Sequence, residues 1–217
     1  MSKEHGELIG FVPDHNPTSK KEWKESLDQG FQTYRFKGDS EKGAELLQAF
    51  SEGVQYVYDT YGERQAGEGL EEPTIVLITK DNIMRSPFAA NDTQIRIKAS
   101  FVEARSQDLP EQNVEFTKAD GELAFKGKTI DFFRLAGVEE GHHTVFKKVK
   151  GSEDLLNPNE TDLASYDASD PEWHGLRWQS RFAREKGLPD ETQALLKTRM
   201  EAAKQIREGK GKKSGKE

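Results

Sequence analysis

Glu139, Glu140, His142 and His143 fall within the five-residue run Glu-Glu-Gly-His-His. Two carboxylates and two imidazoles this close are the groups that a metal site or an acid–base site requires. If the run is helical, Glu139 and His143 stand four apart on one face, and Glu140 and His143 stand three apart on an overlapping face. Neighbours on a helix point about 100° apart, so His142 and His143 do not readily share one ion. The bland reading of the same residues is the charged face of an ordinary amphipathic helix. A second group, Pro171-Glu172-Trp173-His174-Gly175, begins another helix-like stretch. A carboxylate at Glu172 is favoured there by the helix dipole alone, so its local explanation competes with a chemical one.

The elements that must position these groups are readable in order. Asp39-Ser40 followed by Glu41 opens a helix to about Tyr61, with Leu46, Leu47, Phe50, Val54, Val57, Tyr58 and Tyr61 on a 3.6-residue period and Gly62 as its stop. A shorter helix is expected around Trp23 to Phe36. Pro73 to Thr79 is β-branched and bounded by turn residues, which reads as a buried strand. Gln94 to Val102 alternates polar and apolar residues, a second strand with one wet face. A weaker strand pair surrounds Asp120-Gly121. Thr129 then caps the helix bearing the Glu/His run, and Gly137 and Gly141 within it each cost about 1 kcal/mol relative to alanine. Such glycines point to another element packed closely on that helix. A loop from Gly151 to Ala168 leads to a helix from Pro171 to about Lys186, with Leu176, Trp178 and Phe182 facing the core and Gly187 ending it. Pro189-Asp190-Glu191 opens a last helix to about Arg207.

These elements give an α+β fold: a small, mostly antiparallel sheet packed against helices. The 217 residues divide into a flexible arm (1–21), one domain (22–208) and a basic low-complexity tail (209–217). Hydrophobic and charged residues are each 33%, a lean core composition that two polar ends partly explain. A net charge of −7 argues against nucleic-acid binding through a basic surface. There is no cysteine, so any metal site must use His, Asp or Glu. No segment approaches the ~20 apolar residues that span a bilayer, and the first residues carry no apolar leader core, so a soluble cytoplasmic protein is the expectation. Oligomeric state has no signature in the chain. Neither a nucleophile elbow nor a phosphate-cradling glycine loop is present.

The order of these elements, with Glu139-Glu140-Gly-His142-His143 on one helix and Pro171-Glu172-Trp-His174-Gly175 opening the next, resembles small zincin metallopeptidases of the gluzincin kind, over about residues 40 to 190. In that family a helix carries His-Glu-x-x-His, whose histidines bind zinc and whose glutamate is the general base, and a later helix supplies a third ligand. The resemblance implies that Glu140 is the base, His143 the second zinc ligand and Glu172 the third. It also implies that Ile75 to Val102 is a strand–loop–strand substrate edge. Glu139 stands where the first histidine belongs. A carboxylate still ligates zinc, so Glu139, His143 and Glu172 form an acceptable but more anionic set, one that also suits Mn²⁺ or Fe²⁺. A ligand set shifted to His142 or His174 stays open.

The function implied is a metallopeptidase-related protein acting on protein or peptide, weakly active or inactive because of its altered motif. The alternative is a non-catalytic scaffold of the same fold that binds a protein or peptide along the strand edge near Gln94 to Val102. A carboxylate-bridged di-iron bundle is a poorer rival: Glu140 and His143 make one Glu-x-x-His pair, but a second is missing and the strands do not belong.

Overall fold

The computed structural model describes residues 11–13, 31–33, 40–64, 72–78, 84, 86–91, 93–107, 112–117, 123–148 and 171–211. Five helices are described: α1 (Ser40–Arg64), α2 (Ala99–Arg105), α3 (Thr129–Lys148), α4 (Pro171–Glu185) and α5 (Asp190–Gly211). The strands are β1 (Phe11–Pro13), β2 (Phe31–Thr33), β3 (Thr74–Ile78), β4 (Phe88–Ala90), β5 (Gln94–Lys98), β6 (Asn113–Thr117) and β7 (Leu123–Lys128). The fold is α+β.

One sheet has the order β2-β1-β3-β5-β4, and β6 and β7 form a separate hairpin. The middle of the larger sheet is parallel: β1 pairs with β3 and β3 with β5, from Thr74 opposite Gln94 to Ile78 opposite Lys98. Its antiparallel pairings, β1–β2 and β4–β5, lie at the two edges. The connection after Ile78 explains this arrangement. The chain first lays β4 down at the edge, then returns as β5 between β4 and β3, so β5 ends up running with β3.

Several expectations are revised here. The strand expected over Gln94 to Val102 stops at Lys98, and Ala99–Arg105 is the helix α2. Ala99 and Val102 are both buried, three apart, which is helical spacing rather than strand alternation. Because β5 is flanked on both sides, no free strand edge exists at Gln94 to Lys98; the edge strands of the described sheet are β2 and β4. Phe31–Thr33, expected within a helix, is a strand, while the rest of Trp23 to Phe36 lies outside the described residues, as does the 151–168 loop. Phe11–Pro13, within the expected arm, pairs as β1. Helix α1 continues past Gly62 to Arg64.

The core lies between the sheet and helices α1 and α3. Leu46, Leu47, Phe50, Val54, Val57 and Tyr58 of α1 are all buried, as the 3.6-residue period requires. Leu77 of β3 and Ile95 and Ile97 of β5 meet them, whereas Val76 and Ile78 face the other side of the sheet with Met84. Phe88 of β4 stacks on Phe50 at 5.3 Å and meets Phe133 edge-on at 5.9 Å, tying the edge strand to both helices.

Helices α1 and α3 run in the same direction and touch backbone to backbone. A Cβ added at Gly137 would collide with the Phe50 carbonyl, and one at Gly53 with the Arg134 carbonyl. At Gly141 it would lie 3.1 Å from the Val54 Cα. The glycines of α3 therefore have the role their position implied: they admit a second helix at close range. This contact sets the rotation of α3, and with it the direction in which Glu139, His142 and His143 point.

Helix α4 crosses α3 in the opposite direction and buries Trp173, Leu176, Trp178 and Phe182. It ends at Gly187, whose φ of +64° lets the Leu188 N–H reach the Ala183 carbonyl at 2.8 Å, a glycine-type helix stop.

Candidate functional site

Of the polar groups singled out by the sequence, Glu139, His142, His143 and His174 meet in the seam between α3 and α4. Gly175 is its centre. A Cβ placed there would lie 3.5 Å from Glu139 Cγ, 3.8 Å from His143 Nε2 and 3.9 Å from His142 Cδ2. Glu139 and His143, one turn apart, thus look at the same bare patch of α4, as the i, i+4 spacing requires. Glu172 is three residues before Gly175, which sets it one turn away on the same stripe of α4; its side chain lies outside the described residues. Among the described residues, no three His, Asp or Glu side chains are grouped closely enough to hold an ion.

Each side chain has a distinct setting. The His143 ring turns Nε2 toward α4 and Nδ1 toward Glu140, whose Oε2 lies 3.6 Å away. That separation is an ion-pair contact when His143 is protonated and too long for a hydrogen bond. Both side chains are mostly enclosed, at 16% and 12% exposure. Arg96, from β5, contributes positive charge near Glu140.

Glu139 is held on its other side by Gln179 of α4. The Gln179 Nε2 donates to Glu139 Oε2 at 2.9 Å and to the Leu135 carbonyl at 2.9 Å. As a residue Glu139 keeps some exposed surface, but its carboxylate is enclosed. Burial pushes that carboxyl above the usual carboxylate range, and the charge of Glu140 adds to the effect. His143, Arg199 and the Gln179 hydrogen bond pull in the opposite direction. Two adjacent carboxylates in an enclosed seam favour whatever positive charge can approach them.

His142 is fully buried and points deeper into the seam. Its ring stacks on Trp178 at 6.1 Å and lies 6.2 Å from the buried His174. Burial first, then the charges of His143 and His174, holds His142 well below the usual imidazole value, so it is a neutral, packed ring. His142 and His143 diverge as neighbours on a helix should. His174 is packed against Trp173 and His142.

Sequence reasoning expected Glu139 and His143 on one face of the helix, and they share it, but His142 borders the same point, its Cδ2 3.9 Å from the Gly175 Cβ position against 3.8 Å for His143 Nε2. It missed Gln179. The available signal was the spacing of Glu172, Gly175 and Gln179 along one stripe of α4, but its partner Glu139 is forty residues away in the chain. No described helix is long and apolar enough to cross a membrane. Comparison with protein-family models, curated proteins and solved structures finds no match.

Proposed function

We propose that this chain is a zincin-like, metallopeptidase-related domain whose site is built from Glu139, His143 and Glu172 as ion ligands and Glu140 as base. The observation that carries the reading is the shared orientation of Glu139 and His143 toward Gly175, one helical turn from Glu172. The donor set fits a divalent ion. It offers carboxylate oxygens and an imidazole Nε2, whose ring has a carboxylate beside its other nitrogen, as metal-bound histidines usually do. Gly175 leaves room on the facing helix, where any larger residue would sit against the ligands.

An ion bound there supplies Lewis acidity toward water and a peptide carbonyl. The residues of the chain supply the rest. Glu139 and His143 are held at fixed rotation by the glycine contacts between α1 and α3. Glu140, buried beside them, takes a proton from water and returns it to the leaving amine. The edge strand β4, packed against α3 through Phe88 and Phe133, is the place where an extended peptide chain adds to the sheet. With Glu139 in place of a histidine the site carries more negative charge than a two-imidazole site. The water is then less acidic and hydrolysis slower, which suits weak activity on unstructured protein or peptide.

Calorimetric titration of the metal-free chain with Zn²⁺ and Mn²⁺ tests this. Binding of about one ion per chain is expected, as for a single three-ligand site, and it should vanish in His143→Ala. A wild-type chain that takes up neither ion returns the reading to a peptide-binding scaffold.

A further inference from the structure

The Gln179 amide has only one arrangement open to it. Its Nε2 sits between two acceptors, the Leu135 carbonyl and the Glu139 carboxylate, each at 2.9 Å. Both of its N–H groups are committed to those acceptors, and turning the amide over would set its oxygen against both. Gln179 is 3% exposed, so water does not easily substitute. Residue 179 therefore presents a donor to residue 139, and residue 139 must accept.

A carboxylate meets that demand. One oxygen of Glu139, Oε2, receives the Gln179 N–H, which leaves Oε1 for a ligand. A histidine at the same position would not meet it. An imidazole that ligates through one nitrogen carries a proton on the other and needs an acceptor for it, commonly a carboxylate or carbonyl. Gln179 would meet that N–H with another N–H. The departure at position 139 is therefore matched by the residue packed behind it.

Resting on the ion-site reading above, we propose that Gln179 is a positioning residue that fixes Glu139 as a carboxylate ligand, and that positions 139 and 179 form a matched pair. A histidine at 139 becomes a full ligand only when 179 is an acceptor. Gln179 acts through Glu139 and touches neither ion nor substrate.

The test is Zn²⁺ affinity by calorimetry on the full chain, for wild type, Gln179→Met, Gln179→Glu, Glu139→His and the double variant Glu139→His/Gln179→Glu. The melting temperature of each metal-free protein is measured in parallel. Gln179→Met should weaken binding by about 10- to 100-fold, the usual loss for a residue that orients a ligand. Gln179→Glu should weaken it by about tenfold when residue 139 is glutamate and strengthen it by about tenfold when residue 139 is histidine. A purely structural role for Gln179 would not reverse sign with the partner. The same factor and direction in both backgrounds overturns the matched pair. If wild type binds zinc, loses it in His143→Ala and keeps full affinity in Gln179→Met, the positioning role fails while the ion site stands. If wild type binds no zinc, the ion-site reading fails and takes this proposal with it. Should Gln179→Met not fold, the two Gln179→Glu comparisons still decide.

Discussion

Helix α3 has two working faces, and they are built on opposite principles. The face toward α1 is stripped of side chains at Gly137 and Gly141, and it meets Gly53, Phe50 and Val54 at backbone distance. The face toward α4 keeps Glu139, His142 and His143, and there it is α4 that is stripped, at Gly175. The first seam has the close dry contacts from which fold stability comes. The second encloses ionisable groups, which is unfavourable for stability unless hydrogen bonds or a bound ion compensate. A protein concerned only with stability has little reason to keep the second seam polar. The difference supports the proposal of a site in the α3–α4 seam, with the α1–α3 seam as its foundation.

The comparison is broken most directly by adding one methyl group to each seam. In Gly137→Ala the new Cβ would strike the Phe50 backbone carbonyl, which cannot step aside as a side chain tip can. Overpacking usually costs about 1–3 kcal/mol, and this variant should sit at or above the upper end, a fall of about 6–12 °C in melting temperature at this chain length. Gly175→Ala meets only ordinary contacts, the nearest at 3.5 Å. It should melt at or slightly above wild type, since alanine favours a helix by about 1 kcal/mol over glycine. It should nonetheless weaken ion binding, because the methyl group stands beside His143 Nε2. Equal melting of the two variants would remove the distinction between the seams.

Within the polar seam, His142 and His143 should separate function from stability. His143→Ala is expected to abolish ion uptake while changing melting little, because the side chain keeps some exposure. His142→Ala empties a fully buried site stacked on Trp178 and should cost about 2–4 kcal/mol while leaving ion stoichiometry intact. Loss of ion binding in both would shift the ligand set toward the deeper ring.

Much of this was legible in the chain. The apolar period of α1, the two glycines of α3 and the i, i+4 pairing of Glu139 with His143 are local signals, and local geometry honours them. What stayed hidden was non-local. The parallel pairing of β3 with β5 depends on β4 being placed first at the edge, which no property of either strand encodes. Helix α2 follows β5 without a break, so its apolar residues read as continued alternation; the spacing of Ala99 and Val102 was the signal. Gln179 was invisible as a site residue because a lone glutamine on a helix has no chemistry until its partner is known.

A smaller effect is expected at position 139. Glu139→His restores the His-Glu-x-x-His pattern but faces the Gln179 N–H, so zinc affinity should rise, by about tenfold, only when Gln179→Glu is added. Hydrolysis of an unfolded protein substrate should rise with it and vanish when Glu140→Gln is added. Hydrolysis that survives Glu140→Gln would assign the base elsewhere.

The smallest effect is expected where the apolar seam carries its own polar contact. Thr144 Oγ1 donates to the Gly141 carbonyl at 2.7 Å, so the Tyr58 hydroxyl, 2.8 Å away, must be the donor to Thr144. Tyr58→Phe removes one buried hydrogen bond from α1 to α3 and keeps the ring that fills the core. It should cost about 1 kcal/mol, a melting shift of about 2–4 °C, with no change in ion affinity. A pH signature should accompany it. Burial, and to a lesser extent the charge of Glu72, raises the Tyr58 phenol above its ordinary 10. The folded chain then binds the phenolic proton more tightly than the unfolded chain does. That contribution is complete below the unfolded value and is lost as pH rises from there through the folded value. Tyr58→Phe has no such proton to lose, so its stability should fall less steeply than that of wild type above about pH 10. Parallel alkaline melting curves for the two proteins would show that the hydroxyl is not held between the helices, leaving the Arg134–Glu52 ion pair, at 3.0 Å, as the polar contact that joins α1 to α3 there.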